Sequence, residues 1–217
     1  TGPAILSGRS AAVFFNEILG NRVEGHRQKS ESEGQTFKKH VGRPILPGHI
    51  DIIFDPGLAG FHDHDMMGHY RYDDEGIPGE RVAVVDDGIL EGFLMSRSPI
   101  EGFPRSNGHG RAQPGYPPVS RQSNMIVSSD SPLPDSELRE RLIELCREQD
   151  KPFGLYFRDI EGGFTFTGRS IPNVFNLLPT EVYRVYADGR PDELVRGVDI
   201  VGTPLVMFSM IAGAGET

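Results

Sequence analysis

Between residues 10 and 24, in SAAVFFNEILGNRVE, the apolar positions Ala11, Phe14, Phe15, Ile18, Leu19 and Val23 recur at helical spacing and fall on one broad stripe. The pattern predicts a first helix here, with Ser10 as its N-cap. From Gln28 to Lys39 the periodicity disappears, and this polar stretch reads as an exposed loop. Ile50 to Phe54 is a short apolar run closed by Asp55-Pro56-Gly57, the pattern of a buried strand entering a turn. Two hairpins follow from turn chemistry. In the first, Arg81 to Val85 and Ile89 to Met95 flank Asp86-Asp87-Gly88, where glycine supplies the positive φ of a tight connection. In the second, Val182 to Tyr186 and Leu194 to Ile200 flank Ala187-Asp188-Gly189-Arg190-Pro191. A second helix is predicted over Asp135 to Gln149, with Leu138, Leu142, Leu145 and Cys146 at helical spacing and Asp135 as N-cap. Ser96 to Ser123 is rich in Gly, Pro, Ser and Asn and too long for an ordinary connector, so it is expected to bind something or to brace a site.

Few helices and many hairpins outside βαβ order predict an α+β fold with mixed or antiparallel sheets and two main helices. The 217 residues, 37% hydrophobic and 24% charged, suffice for one large or two small globular domains and fit neither disorder nor a fibre. No apolar run approaches the roughly 20 residues that span a bilayer, so a soluble, cytoplasmic protein without a membrane partner is expected. The net charge of -9 repels phosphate backbones, which argues against direct nucleic-acid contact. Cys146 is the single cysteine; no internal disulfide is possible, and its helical setting predicts a small buried hydrophobe rather than a nucleophile. The chain starts without Met, and Ala212 to Thr217 carries no closing element, so both ends read as cuts in a longer protein.

The most informative segment is Phe14 to Lys29, FFNEILGNRVEGHRQK. Its frame, Asn16-Glu17-Ile18-Leu19-Gly20-Asn21 followed by Glu24-Gly25-His26, resembles the TldD/PmbA metallopeptidase-like family, whose helix carries His-Glu-x-x-x-His and then Glu-Gly. The resemblance extends to Thr1-Gly2-Pro3, Asp55-Pro56, Tyr72-Asp73-Asp74-Glu75-Gly76-Ile77-Pro78, Asp87-Gly88-Ile89-Leu90, Ser106-Asn107-Gly108 and Gly202, in the family's order. It implies that residues 1–217 form one TldD/PmbA-like C-terminal domain. It also implies that active relatives hold zinc through two histidines and a later cysteine, and that the motif glutamate acts on a metal-bound water to hydrolyse peptides. Here Asn16 and Asn21 stand at the two histidine positions, and the third ligand would fall beyond Thr217. An amide oxygen is a neutral, hard ligand and a poor substitute for imidazole on zinc, so no cofactor is expected in this chain. Glu17 keeps the general-base position. Without a metal to acidify water, a carboxylate bonded to nearby backbone or to Asn21 is the simpler reading of it.

A second cluster, His62-Asp63-His64-Asp65-Met66-Met67-Gly68-His69, gathers three histidines and two aspartates in eight positions. On a strand His62 and His64 would share a face, so a metal site with His69 and a solvated loop both stand open. His26, His109 and Arg111 are the remaining candidates, as residues lining a peptide cleft; His26 would equally pair with Glu24 or serve as a hydrogen-bonded structural residue, and Arg111 would clamp a carboxylate or sit in a surface turn. The expectation is therefore a catalytically inactive metallopeptidase-like domain that keeps a peptide-binding cleft, or that forms a homo- or hetero-dimer with a family member. The alternative is an active zinc peptidase using the His62, His64 and His69 group. A scaffold role, suggested by older family names that invoke DNA gyrase, is the third.

Overall fold

The computed structural model describes residues 2–216 except 31, 33, 34, 36 and 169–173. Thr1 of the family-like opening and part of the expected loop at 28–39 thus lie outside the described residues. In chain order the first strands are β1 (Ala4–Leu6), β2 (Ile50–Phe54), β3 (Gly60–Phe61), β4 (His64–Asp65), β5 (Val82–Asp86), β6 (Ile89–Leu90) and β7 (Gly110–Arg111). They are followed by β8 (Val119–Ser120), β9 (Met125–Ser129), β10 (Phe153–Thr165), β11 (Phe175–Tyr186), β12 (Glu193–Val195) and β13 (Ile200–Gly202). The helices are α1 (Gly8–Ile18), α2 (Asp135–Glu148) and α3 (Pro204–Ser209). The α+β expectation, with mainly antiparallel sheets, holds.

The chain divides into two compact units, one of Thr1–Glu17, Ser129–Thr165 and Val174–Thr217, the other of Ile18–Ser128 and Phe166–Asn173. The first is built on a sheet in the order β1-β10-β11-β12, with β13 also paired to β11. β1 runs parallel to β10, while β10 and β11 form a long antiparallel pair from Phe153↔Tyr186 to Thr165↔Phe175. Phe175 and Leu177 point from β11 into a core where Phe14, Phe15 and Phe208 also sit buried. The Phe14 ring meets Phe15, Phe175 and Phe208 at centroid distances of 5.3, 6.1 and 6.1 Å, edge-on in each case, the arrangement the ring quadrupole favours. On α2, Leu142 and Cys146 lie one turn apart on the same face and pack against Val185 with Ile5 and Tyr156.

The second unit holds a sheet in the order β6-β5-β2-β9 and two short hairpins, β3-β4 and β7-β8. β2 covers the predicted residues, and its alternation buries Ile50, Ile52 and Phe54. The predicted turn after β5 places Asp87 at φ 48° and Gly88 at φ 74°, the two positive values of a type I′ connection. A Cβ on Gly88 would come within 2.4 Å of the Leu46 carbonyl oxygen, so the position admits only glycine.

Several boundaries differ from the sequence reading. α1 begins at Gly8 because Ser7, not Ser10, caps it: Ser7 Oγ accepts the Ser10 N–H at 3.2 Å and its carbonyl accepts the Ala11 N–H at 2.7 Å. The helix ends at Ile18, and the chain continues as 3-10 turns at Gly20–Val23 and Gly25–Gln28. Asp135 is the first residue of α2 rather than its cap, a place taken by Pro134 without a side-chain bond. β6 stops at Leu90, short of Met95. Ile200 leaves the second hairpin for β13, where it pairs with Leu177, because Gly197 at φ 71° turns the chain after β12. Within 28–39, Gln28 and Phe37 are buried rather than exposed. Gly215 bridges to Leu133, and the Leu133 N–H donates to Ala214 O at 2.9 Å, so the last described residues do carry a closing interaction.

Candidate functional site

Asn16 and Glu17 occupy the last turn of α1 in the first unit, where Asn16 is exposed and its Nδ2 donates to Glu17 Oε1 at 3.5 Å. Asn21 lies on the Gly20–Val23 turn of the second unit, half-buried. The two residues that the resemblance pointed to as ligand positions thus carry neutral amides, and one of them already spends a proton on the neighbouring carboxylate. Such a set does not fit zinc, which takes thiolate, imidazole or carboxylate. Among the described residues, no group of three or more His, Cys, Asp or Glu is placed to hold a metal ion.

The histidine cluster is arranged differently from the strand expected of it. Gly60↔Asp65 and Phe61↔His64 pair across β3-β4, which leaves His62 and Asp63 as the two turn residues, with His62 at φ 50°. His62 therefore shares no strand face with His64, since a two-residue turn needs the left-handed conformation there and breaks the alternation. His69 is turned to the Pro56 carbonyl, with Nδ1 2.9 Å from its oxygen.

His26 is half-buried on the Gly25–Gln28 turn. His109 does not line a cleft: its side chain is 0% exposed. Its Nδ1 lies 3.1 Å from both the carbonyl and the side-chain oxygen of Asn107, and its Nε2 is 2.9 Å from Ser123 Oγ. Burial pushes its pKa down to about 4. The neutral ring with its proton on Nδ1 satisfies every contact, with the Ser123 hydroxyl donating to Nε2. Ser123, His109 and Asn107 share the connectivity of a nucleophile, base and orienting group, yet so weak a base, its ring buried, is a poor proton acceptor at neutral pH. The trio braces the loop instead. Arg111, half-exposed, lies with its guanidinium carbon 4.5 Å from the Tyr70 ring centroid and its Nε 3.2 Å from Asp74 Oδ2. It is therefore already engaged by a carboxylate and a π face.

Around His109 the family-like segments act as hydrogen-bond hubs. Asp73, buried, accepts the Glu75 and Ile77 N–H groups on Oδ1 at 3.0 and 2.8 Å and the Gly110 N–H on Oδ2 at 2.9 Å. Asn107 accepts the Met95 N–H at 2.7 Å and donates to Phe93 O at 2.9 Å. Asn124 accepts the Gly68 N–H at 2.7 Å and donates to Leu58 O at 2.7 Å. Gly108, at φ 72°, passes so close that a Cβ would stand 2.1 Å from Pro78 O. In Tyr72–Pro78 and Ser106–Gly108 these side chains bond main chain and so organise the local backbone.

Sequence reasoning missed one charged centre. Glu24, 1% exposed, accepts Arg27 Nε at 2.8 Å and Arg121 NH1 at 3.2 Å on each of its oxygens. Burial raises its pKa, and the two guanidiniums oppose that shift. The Arg27 partner was legible from the i,i+3 spacing; Arg121, 97 residues away, left no local signal.

The comparisons with known proteins agree with this architecture. The chain is similar to a protein named a metalloprotease from Methanocaldococcus jannaschii, 26% identical over 210 residues that cover 96% of this chain and 42% of that protein. It is also similar to one of the same name from Methanothermobacter thermautotrophicus, 30% identical over 94% of this chain and 40% of that one. It thus spans about two-fifths of the length of these curated relatives. Among solved structures, TldE from Thermococcus kodakarensis matches 99% of this chain and 45% of its own at a TM-score of 0.70 and 17% identity. A protein named for modulation of a DNA gyrase from Thermotoga maritima matches 99% of this chain and 44% of its own at 0.69 and 20%. At these identities the structures speak for the fold alone. The family described as the PmbA/TldA metallopeptidase C-terminal domain matches residues 1–217, and the chain belongs to it.

Proposed function

We propose that this chain is a catalytically inactive member of its metallopeptidase family, which binds a peptide or protein segment, or pairs with a family member in a homo- or hetero-dimer, without hydrolysing it. The observation that carries this reading is the amide pair Asn16 and Asn21 at the metal-ligand positions beside a retained Glu17. A carboxylate base needs an acidified water to attack an amide, and two carboxamides supply neither the charge nor the softness to hold the ion that would acidify it. The names of the relatives speak for peptide chemistry in the family. The acidic surface, with a net charge of -9, speaks against a direct role on DNA.

The test is hydrolysis of a mixed peptide pool by the intact protein, with and without added zinc, beside Glu17→Gln. The expected result is no zinc-dependent cleavage in either protein. Cleavage that needs Glu17 would overturn the reading. Tightly held zinc lost on changing His62 or His64 would support the active alternative instead.

A further inference from the structure

The sheet of the first unit has a gap along one side of β11. β10 pairs along the whole of β11, so β12 and β13 both lie on its other side, β13 against residues 175–177 and β12 against residues 182–184. Between them, residues 178–181 face no strand on that side among the described residues. Pro179 has no N–H to give a ladder, and Gly197, at φ 71°, turns the chain between β12 and β13, so the gap is not closed by a continuous strand. It forms a cavity of about 390 Å³, whose lining includes Pro179, Thr180, Val182, Val195, Arg196 and Val198. That volume lies at the small end of the roughly 300–1,000 Å³ of ligand sites. Val182 is buried and Pro179, Val195 and Val198 are half-buried, so the wall is largely apolar. Arg196 is its one charged lining residue. In the first unit Arg9, Arg139, Arg141, Arg158, Arg184 and Arg190 each pair with a carboxylate, and Arg147 donates to Ala187 O at 3.2 Å. Exposed Arg196 alone among them has no ion pair or hydrogen bond to a described residue.

We propose that this cavity binds a carboxylate carried on a short aliphatic body, the chemistry of a peptide C-terminus that ends in leucine or valine. The valines and Pro179 form the wall for the side chain, and Arg196 offers the planar, forked donor that matches a carboxylate. The open side of β11 favours a peptide as the source, because its main chain there is free to take a short strand leading to the carboxylate. A phosphate would gain the charge of Arg196 and forgo the apolar wall. Nearby acidic groups are engaged or outside the lining: Asp159 takes Arg9 and Thr180, and Glu181 takes Arg158 and Tyr183. Glu161 and Asp199 do not line the cavity. Nor do Asn16, Glu17 and Asn21, so this site is independent of whether the chain hydrolyses peptides.

The experiment is fluorescence anisotropy of the intact protein with fluorescein-labelled Gly-Ser-Ala-Leu, made once with a free C-terminal carboxylate and once with a C-terminal amide. The acid is expected to bind at least about tenfold tighter than the amide. Arg196→Gln, at a side chain that bonds nothing in the fold, is expected to bring the two within about twofold of each other. Val198→Trp, which fills the cavity, is expected to weaken the acid at least about fivefold. Competition distinguishes the two sources of the carboxylate. Displacement by 4-methylpentanoate only at concentrations at least about tenfold above those of unlabelled Gly-Ser-Ala-Leu supports a peptide end, and equal potency supports a free aliphatic acid at the same site. Equal binding of acid and amide, an unchanged preference in Arg196→Gln, or full affinity in Val198→Trp would overturn the inference.

Discussion

The hydroxyl of the half-buried Ser123 donates to Nε2 of the buried His109 across 2.9 Å. The bond requires an unprotonated Nε2, which ties loop structure to pH. His109 has its pKa pushed down to about 4 in the fold, against an ordinary value of 6.5. The native state therefore resists a proton that the unfolded chain accepts. The stabilisation is complete above about 6.5 and is lost progressively as pH falls toward about 4, on the order of 3 kcal/mol in all. Urea midpoints measured between pH 4 and 8 are expected to fall over this window, and His109→Gln to flatten the slope while lowering stability at pH 8. An unchanged slope in the variant would assign the loss to other groups.

Gly108 and Gly102 separate two costs of the left-handed backbone. Both have positive φ, 72° and 81°, but a Cβ at Gly108 would meet Pro78 O at 2.1 Å whereas one at Gly102 meets nothing within 4 Å. Gly102→Ala is expected to cost about 1 kcal/mol from backbone strain alone, and Gly108→Ala about 3 kcal/mol or more because main chain must move. Thermal melts of the two variants compare them directly, and equal losses would contradict the close approach.

In the aromatic core of the first unit, Phe208→Ala is expected to cost about 3–5 kcal/mol, since it empties the site where Phe14 and Phe15 pack. Val201→Ala, on an exposed strand position, is expected to change stability by less than about 0.5 kcal/mol. Denaturant titration checks both.

In a chain of residues 1–217 alone, Asn16→His/Asn21→His is expected to raise zinc affinity at least about tenfold by titration calorimetry while giving little peptide hydrolysis, because two imidazoles alone leave zinc under-coordinated. Vigorous cleavage by the double variant would mean that further ligands are close at hand.

Much of this was legible in the sequence where a local rule decides. The strand Ile50–Phe54 and the Asp87-Gly88 turn follow from alternation and from glycine's freedom at positive φ, and both stand where they were expected. The long strand β10 was not legible: its alternation is broken by register shifts between Phe157 and Gly162, and two adjacent glycines weaken the β pattern. Helix α1 was read too long because its apolar stripe runs on through Leu19 and Val23 into the 3-10 turn, where the same spacing still finds buried sites. At the candidate site, motif residues such as Asn107 and Asp73 were visible as a frame, but their work is bonding main chain. The Glu24–Arg121 contact joins residues that no periodicity relates.

Cys146 is the only thiol, and in the fold it is shut behind Leu142 and Val185 with its pKa raised by burial. The molecule thus carries its own clock. A thiol reagent at neutral pH can react only when α2 lifts from the sheet, so the labelling rate counts those openings directly. No tag or engineered probe is needed to time them.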